Sequence, residues 1–519
     1  MLTPGEEDKI MKNHQSVPLN HEAGRKSIED MSAEEVDEEL RLRGVTPLHS
    51  LPERLSLLIW GRGDSPGEPS ELATGLKCIA GGETEEQRKD KEVFESSLKE
   101  LSAAVADHRI RHTTELLTRL DRKIVLVSPS QKSATRLLLV YAQWIDFCPA
   151  YLERVEEAAS RFRRQHGGFL SRSQVARLMV IEGLAHLHRE NYDYAITHFN
   201  YAMQVASSDQ DIELAAISQY NLARCYWKKG QYRSSLDYIP VAKEMYRKLG
   251  RTSSIAVVGM LEGWLLLLLG RVEEAERLIA RAKDVLIETD DYINQGNVLS
   301  FYGRLEKYRG NFDEALNYFY KALEAYQQGD PAHRNIARTH ANIALAYHLK
   351  ARDVDAPRDL YLRALKHLDD AERVSSVGTD SYRRGLGRVR LARALLLSNI
   401  GKSLRAKSEA EEAYSLGFEK GDEILMGKAR RIQWKFAESV TEEIRFAEEA
   451  CYHSLRTDNR RLQARAFVCR FRSLLKYPKS SLREIQKYRD EAYDRLTSEE
   501  LRQPYWQKAL SLPDDTAYR

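Results

Sequence analysis

The sequence predicts an all-α protein built as an α-solenoid, a stack of antiparallel helix pairs. Composition points there first: 519 residues, 42% hydrophobic, with 28 Gly and only 14 Pro, which favours helices over sandwiches or barrels. From Lys91 onward nearly every segment is helix-forming. Most telling, a small residue followed by a fixed apolar pattern recurs about every 40 residues. The apolar share also excludes a wholly disordered chain, and 80 Lys+Arg against 77 Asp+Glu exclude a histone-like or polyanionic character.

The chain divides into four parts. Residues 1–90 form an acidic segment: residues 1–100 carry 13 Lys+Arg and 22 Asp+Glu, a net of −9, which leaves +12 on the remainder. The first 27 residues are polar and aperiodic and read as disordered. Ser32 with Glu35 forms a capping-box pattern for a short helix that Gly44 stops after Arg43. Residues 61–86 are rich in Gly, Ser, Pro and Glu and read as a linker. Its Arg62-Gly63-Asp64 is an integrin tripeptide, too short a match to carry that function. No secretory h-region precedes it, which suits a cytoplasmic protein. Residues 91–175 are helical and contain a degenerate repeat near Gln143, with Ala158 and Phe162 on its second helix.

Residues 176–420 hold about six repeats. Gly183, Ala223, Gly263 and Gly303 are 40 residues apart; Ala344 follows after 41 and Ala394 after 50. Gly stands at offset +7 in most (Gly230, Gly270, Gly310, Gly401), though the first repeat has Glu190 there. Small residues stand at +12 and +19 and usually a bulky one at +16, as in Ala315, Phe319 and Ala322. Gly at +7 supplies the backbone angles of a tight turn between two helices. Offsets +12, +16 and +19 are 4 and 3 apart, so they share one face of the second helix. One such hairpin cannot bury its apolar face alone; stacked copies can. The fifth repeat carries about eight extra residues near 351–358. Residues 421–519 add a degenerate repeat near Trp434, with Ala447 and Cys451, and capping helices from Arg461. The apolar run Ile255 to Leu269 is about 15 residues long and interrupted by Glu262, so it reads as a buried helix and not a membrane span.

Segments such as GLAHLHRENYDYAITHFNYA and GRLEKYRGNFDEALNYFYKA resemble the tetratricopeptide repeat superfamily, in a long-period variant of 40 residues instead of the common 34. The resemblance implies a right-handed superhelix whose first helices line a concave groove.

No catalytic, cofactor or metal motif emerges. Gly401-Lys402-Ser403 echoes a phosphate-binding loop, but Leu396 stands where that loop needs Gly. His186, His188 and His198 crowd one hairpin without metal-ligand spacing. Cys78, Cys148, Cys225, Cys451 and Cys469 form no CxxC pair and suit a reducing compartment. The sequence therefore reads as a non-enzymatic scaffold or adaptor that takes a protein or peptide partner, an acidic one given the basic body. From the resemblance, positions around each small residue give the groove candidates Asn221, Arg224, Lys228, Arg304, Lys307, Tyr308, Asn342 and His348, with Asn297, Arg338 and Arg388 further up the first helices. Asn221 and Asn342 look like the asparagine that hydrogen-bonds a peptide backbone in kinesin-light-chain-type repeats. An amide suits the task because it both donates and accepts. The arginines can grip carboxylates bidentately. Their competing assignments are solvated charges and ties between hairpins. A transcriptional or signalling regulator and a helical-repeat RNA-binding protein are the alternatives. The first lacks a convincing helix-turn-helix, and the second lacks a per-repeat base-reading code, which argues against nucleic acid. Homo-oligomerisation through the tail helices stays open, and residues 32–58 are a candidate internal ligand for the groove.

Overall fold

The computed structural model describes residues 85–106, 131–144, 152–330, 333–353, 358–376, 383–502 and 504–511, with short pieces between 108 and 116. The helix expected over Ser32 to Arg43, the internal ligand 32–58, the linker up to residue 84, Cys78 and Cys148 lie outside them. The described residues form helices and no strand.

Helix α1 (Glu85–Ala106) and the pair α2 (Gln131–Trp144) and α3 (Leu152–His166) precede the regular array. Six hairpins follow: α4 (Arg172–His188) with α5 (Tyr192–Ser208), α6 (Ile212–Lys229) with α7 (Tyr232–Lys248), α8 (Thr252–Leu268) with α9 (Val272–Leu286), α10 (Tyr292–Arg309) with α11 (Phe312–Gly329), α12 (Asn335–Lys350) with α13 (Arg358–Ser376), and α14 (Arg383–Asn399) with α15 (Ser403–Glu419). Two more pairs extend the stack, α16 (Glu423–Gln433) with α17 (Val440–Leu455) and α18 (Arg460–Lys476) with α19 (Leu482–Tyr493), before the short α20 (Ser498–Arg502) and α21 (Pro504–Leu510). The extra residues of the fifth hairpin begin as a 3-10 turn, Ala351–Asp353. Trp434 opens a 3-10 turn at the end of α16, so it closes a first helix instead of centring one.

The repeat offsets translate directly into packing. Ala315, Phe319 and Ala322 are fully buried, and the equivalent residues of the other five hairpins are at most 3% exposed. The bulky residue at +16 drives into the small one at offset zero. A Cβ added at Gly303 would sit 2.7 Å from the Phe319 ring, at Gly183 2.8 Å from Phe199, and at Gly263 2.8 Å from Ile279. The +7 glycines take the left-handed backbone the turn demands, Gly310 at φ +89 for example. Glu190 adopts the same region at φ +65, an uncommon choice for a residue with a Cβ.

The reason lies one superhelical turn away. The stack coils tightly enough for successive turns to touch, so the concave side is a walled lumen and not an open trough. Arg384, at the start of the sixth hairpin, is 3% exposed. Its backbone N–H donates to Glu190 Oε2 at 3.1 Å, and its guanidinium donates to Tyr192 Oη at 2.7 Å and to the Lys228 carbonyl at 2.7 Å. The same guanidinium pairs with Asp422, itself 2% exposed. Burial opposes both charges, and their mutual attraction outweighs it: Arg384 is held well above its ordinary value and Asp422 below its own. Further along, the Asp458 N–H donates to the Gly230 carbonyl at 2.8 Å, and its carboxylate accepts from the Arg233 N–H at 2.9 Å. These contacts join the first and second hairpins to the sixth, seventh and eighth.

Candidate functional site

Inside the coil, a cavity of about 180 Å³ is lined by the first helices α6, α8 and α10 and by the start of α12. Val105 and His108, just past α1, also line it. His108 Nδ1 bonds Asp291 Oδ2 at 2.7 Å, and the Arg251 guanidinium donates to the Ala103 carbonyl at 3.3 Å, so the end of α1 is fastened to the third and fourth hairpins.

Five of the eleven groove candidates line this cavity: Asn221, Arg224, Lys228, Asn297 and Arg338. Their roles differ. Asn221 donates to the Ile217 carbonyl of its own helix at 2.9 Å and accepts from Arg224 at 2.9 Å. Asn297 ties two hairpins together, its Oδ1 accepting from Tyr326 Oη at 2.9 Å and Asn335 Nδ2 at 3.0 Å. Lys228 lies over the Trp227 ring, 4.1 Å from its centroid. Burial and the guanidinium groups of Arg338, Arg334 and Arg388 push its ammonium well below the ordinary lysine value. Sequence reasoning missed Trp227, Trp264 and Arg334, which line the same chamber.

Arg304, Lys307 and Tyr308 are not among the residues that line this cavity. Burial and the charges of Arg304, Lys428, Arg461 and Arg465 bring Lys307 down to about 7. Lys428 is brought to about 8 by burial, Arg388, Arg465 and Arg431, against the opposite pull of Asp422. Arg388 is thus felt by both Lys228 and Lys428. Aromatic faces carry several of these cations: Arg304 sits 4.7 Å from the Trp264 centroid and Arg461 3.9 Å from that of Tyr308. Asn342 is 7% exposed, its Oδ1 accepts from Lys307 at 3.4 Å, and its buried Nδ2 has no hydrogen-bond partner among the described residues. Lys428, Arg431 and Arg465 carried a sequence signal. Lys428 follows the small Gly427 and Arg465 follows the small Ala464, the offset +1 already occupied by Arg224 and Arg304. Centring the seventh repeat on Trp434 hid it.

His348 stands apart. It is 5% exposed, bonded to Asn399 Nδ2 at 3.2 Å, beside the Tyr361 ring and between hairpins five and six. Among the described residues, one group has metal-ligand proximity: His340, His367 and Asp370, whose ligand atoms lie within 4.8 Å of one another. Sequence spacing could not show it, because 27 residues separate the two histidines. Local partners hold the group: the two Nδ1 atoms are 2.9 Å apart, His367 Nε2 meets Tyr320 Oη at 3.1 Å, and Asp370 pairs with Arg373 at 2.6 Å. Burial brings His340 to about 4 and His367 to about 3. The thiols of Cys225, Cys451 and Cys469 are buried and pushed up to about 12 by desolvation, far from nucleophilic. Among the described residues, no helix is long and apolar enough to cross a membrane.

The repeats are tetratricopeptide repeats: the Tetratricopeptide repeat family pattern matches residues 263–328, which span the small residue of the third hairpin and nearly all of the fourth. No curated protein sequence matches the chain. Among solved structures, the apo form of the quorum sensor NprR from B. thuringiensis is 17% identical, with a TM-score of 0.47, covering 78% of this chain and 99% of that one. NprR in complex with its cognate peptide NprX is 15% identical, with a TM-score of 0.49, covering 69% and 97%. A Rap protein complexed with Competence and Sporulation Factor is 13% identical, with a TM-score of 0.47, covering 69% and 99%.

Proposed function

We propose that this tetratricopeptide-repeat protein is a non-enzymatic interaction protein, an adaptor or regulator, that holds an acidic peptide segment of a partner in this chamber. The observation that carries the reading is the lining of that chamber. Arg224, Lys228, Arg334 and Arg338 line one cavity together with Trp227 and Trp264, whereas among the described residues Glu213 is the single carboxylate in its lining. Low effective dielectric strengthens each cation's attraction for an incoming carboxylate, and a guanidinium offers it two parallel hydrogen bonds. The tryptophans supply apolar faces for the peptide's side chains.

Capture of partners from a cell extract by the full chain, followed by fluorescence polarisation with the acidic segment so identified, tests this. Lys228→Met combined with Arg338→Met is expected to weaken binding at least tenfold. A ligand that is neutral or basic, or one indifferent to both substitutions, overturns the reading.

A further inference from the structure

One contact position of the repeat is filled differently in two neighbouring hairpins. In the sixth, Arg390 stands four residues before the small Ala394, and its guanidinium meets Glu409 at 3.3 Å and Glu412 at 3.2 Å, at offsets +15 and +18. In the fifth, once the extra residues before Ala364 are allowed for, the same three positions are His340, His367 and Asp370. The repeat therefore brings these side chains to one place, and their ligand atoms lie within 4.8 Å of one another. Where the sixth hairpin sets a cation against two carboxylates, the fifth sets three metal-ligating groups with no cation among them.

We propose that His340, His367 and Asp370 bind a divalent zinc-type ion that clips α12 to α13. Two imidazoles and one carboxylate are a donor set suited to zinc, with water completing the tetrahedron. Zinc bonds of 2.0–2.1 Å put two ligand nitrogens about 3.3 Å apart. The Nδ1 atoms stand 2.9 Å apart, so a small opening of the pair admits the ion. His367 and Asp370, three residues apart on α13, share one face of that helix. An outer shell is in place as well. His367 Nε2 meets Tyr320 Oη at 3.1 Å, and Tyr320 Oη meets Tyr347 Oη at 3.0 Å. Donating its Nε2 proton to Tyr320 leaves His367 the Nδ1 lone pair that a metal takes. Burial keeps both rings neutral, so no proton has to be displaced from an imidazolium. Arg373, the partner of Asp370, is 57% exposed, and its charge is screened by water. The clip also answers a weakness of this hairpin. Ala351 stands at its +7 position in place of the turn glycine, and 27 residues separate the two histidines. Cross-linking the ends of a long connection gains more than cross-linking a tight one. The inference does not rest on peptide binding, since none of these residues lines that cavity.

The test is titration of Co²⁺, a coloured substitute for zinc, into the full chain. One equivalent is expected to give the intense visible absorption of tetrahedral Co²⁺ without a thiolate-to-metal band, and Zn²⁺ is expected to bleach it. His340→Gln and Asp370→Asn are each expected to weaken binding at least tenfold. Asp370 is 26% exposed, so its replacement tests the site without opening the core. Tyr320→Phe keeps all three ligands and loses the acceptor for His367, an expected loss of about tenfold in affinity. Zn²⁺ is expected to raise the melting temperature of the wild type and not that of His340→Gln. His186→Gln, in the other histidine-rich hairpin, is expected to leave binding unchanged. Weak octahedral absorption alone, a thiolate band, or tetrahedral absorption undiminished in both His340→Gln and Asp370→Asn overturns the proposal.

Discussion

Two collections of buried charge sit within one coil, and they obey opposite rules. At the seam where superhelical turns meet, each charge is answered: Arg384 has Asp422, Glu190, Tyr192 and a backbone carbonyl around it. On the first helix α16, Lys428 and Arg431 make no hydrogen bond or ion pair among the described residues, and Asp422 only partly offsets the cations around Lys428. A seam exists to hold the molecule closed, so its charges are paired for stability. A lumen that keeps repelled cations stores unfavourable energy that an anion can release. The difference locates function better than charge count does, because the chain as a whole is only +3.

Breaking the seam is expected to have the largest effect. Asp422→Ala leaves Arg384 buried with no counter-charge and also removes the N-cap of α16, where the carboxylate accepts from the Leu425 N–H at 3.0 Å. Removing one partner of a buried pair costs about 3–5 kcal/mol. Urea unfolding followed by far-ultraviolet circular dichroism checks it. A cost below about 1 kcal/mol means that the turns do not depend on this contact, and the seam would then be no different in kind from the lumen wall.

The second test is Glu190, where the repeat pattern breaks. Substitution by Ala keeps the unfavourable left-handed backbone and strands the buried Arg384 N–H, an expected loss of about 1–3 kcal/mol. Glu190→Gly loses the same acceptor but relieves the backbone, so it is expected to be milder than Ala by about 1 kcal/mol. Equal losses in the two variants, measured by thermal unfolding, mean that the φ of +65 costs nothing and that Glu190 is there for its hydrogen bond alone.

The fold was legible because its signal is local and repeated. The offsets +7, +12, +16 and +19 each encode a contact inside one hairpin, such as Gly303 against Phe319, and six copies of a weak signal make a strong one. The closure of the lumen was not legible, because Glu190 and Arg384 are 194 residues apart and no periodicity links them. The site was half legible. Stepping from each small residue reached Arg224, Lys228, Arg304 and Lys307. It also reached His348, which is bonded to Asn399 between hairpins five and six and does not line the cavity. Asn221 illustrates the limit of residue type as a clue: the same amide that can read a peptide backbone is bonded here to its own helix. Asn342, with its unpartnered Nδ2, is the groove amide still available to a ligand.

The smallest expected effect is the pH dependence that the unanswered cations impose. Lys307 stands at about 7 in the folded chain against an ordinary 10.5. Between those values the unfolded chain binds the proton that the folded chain has released, so stability rises with pH across that window. A salt-bridged lysine gives the reverse, stability lost as pH climbs through its raised value. Lys307 keeps some contact with lumen water, so the slope is expected to be a fraction of the limiting ~1.4 kcal/mol per pH unit for one proton. Thermal unfolding at pH 6.5, 7.5 and 8.5 in constant ionic strength measures it, and Lys307→Met is expected to flatten the rise. Added sodium chloride is expected to flatten it too, because screening weakens the repulsion from Arg304, Lys428, Arg461 and Arg465 that helps hold the value down. Asp422→Ala is expected to leave the slope at Lys307 in place while lowering the whole curve, since the seam and the lumen wall then respond as separate systems. If stability instead falls between pH 6.5 and 8.5 in wild type and not in Lys307→Met, Lys307 is paired in solution, and the contrast between an answered seam and an unanswered lumen fails at its most exposed point.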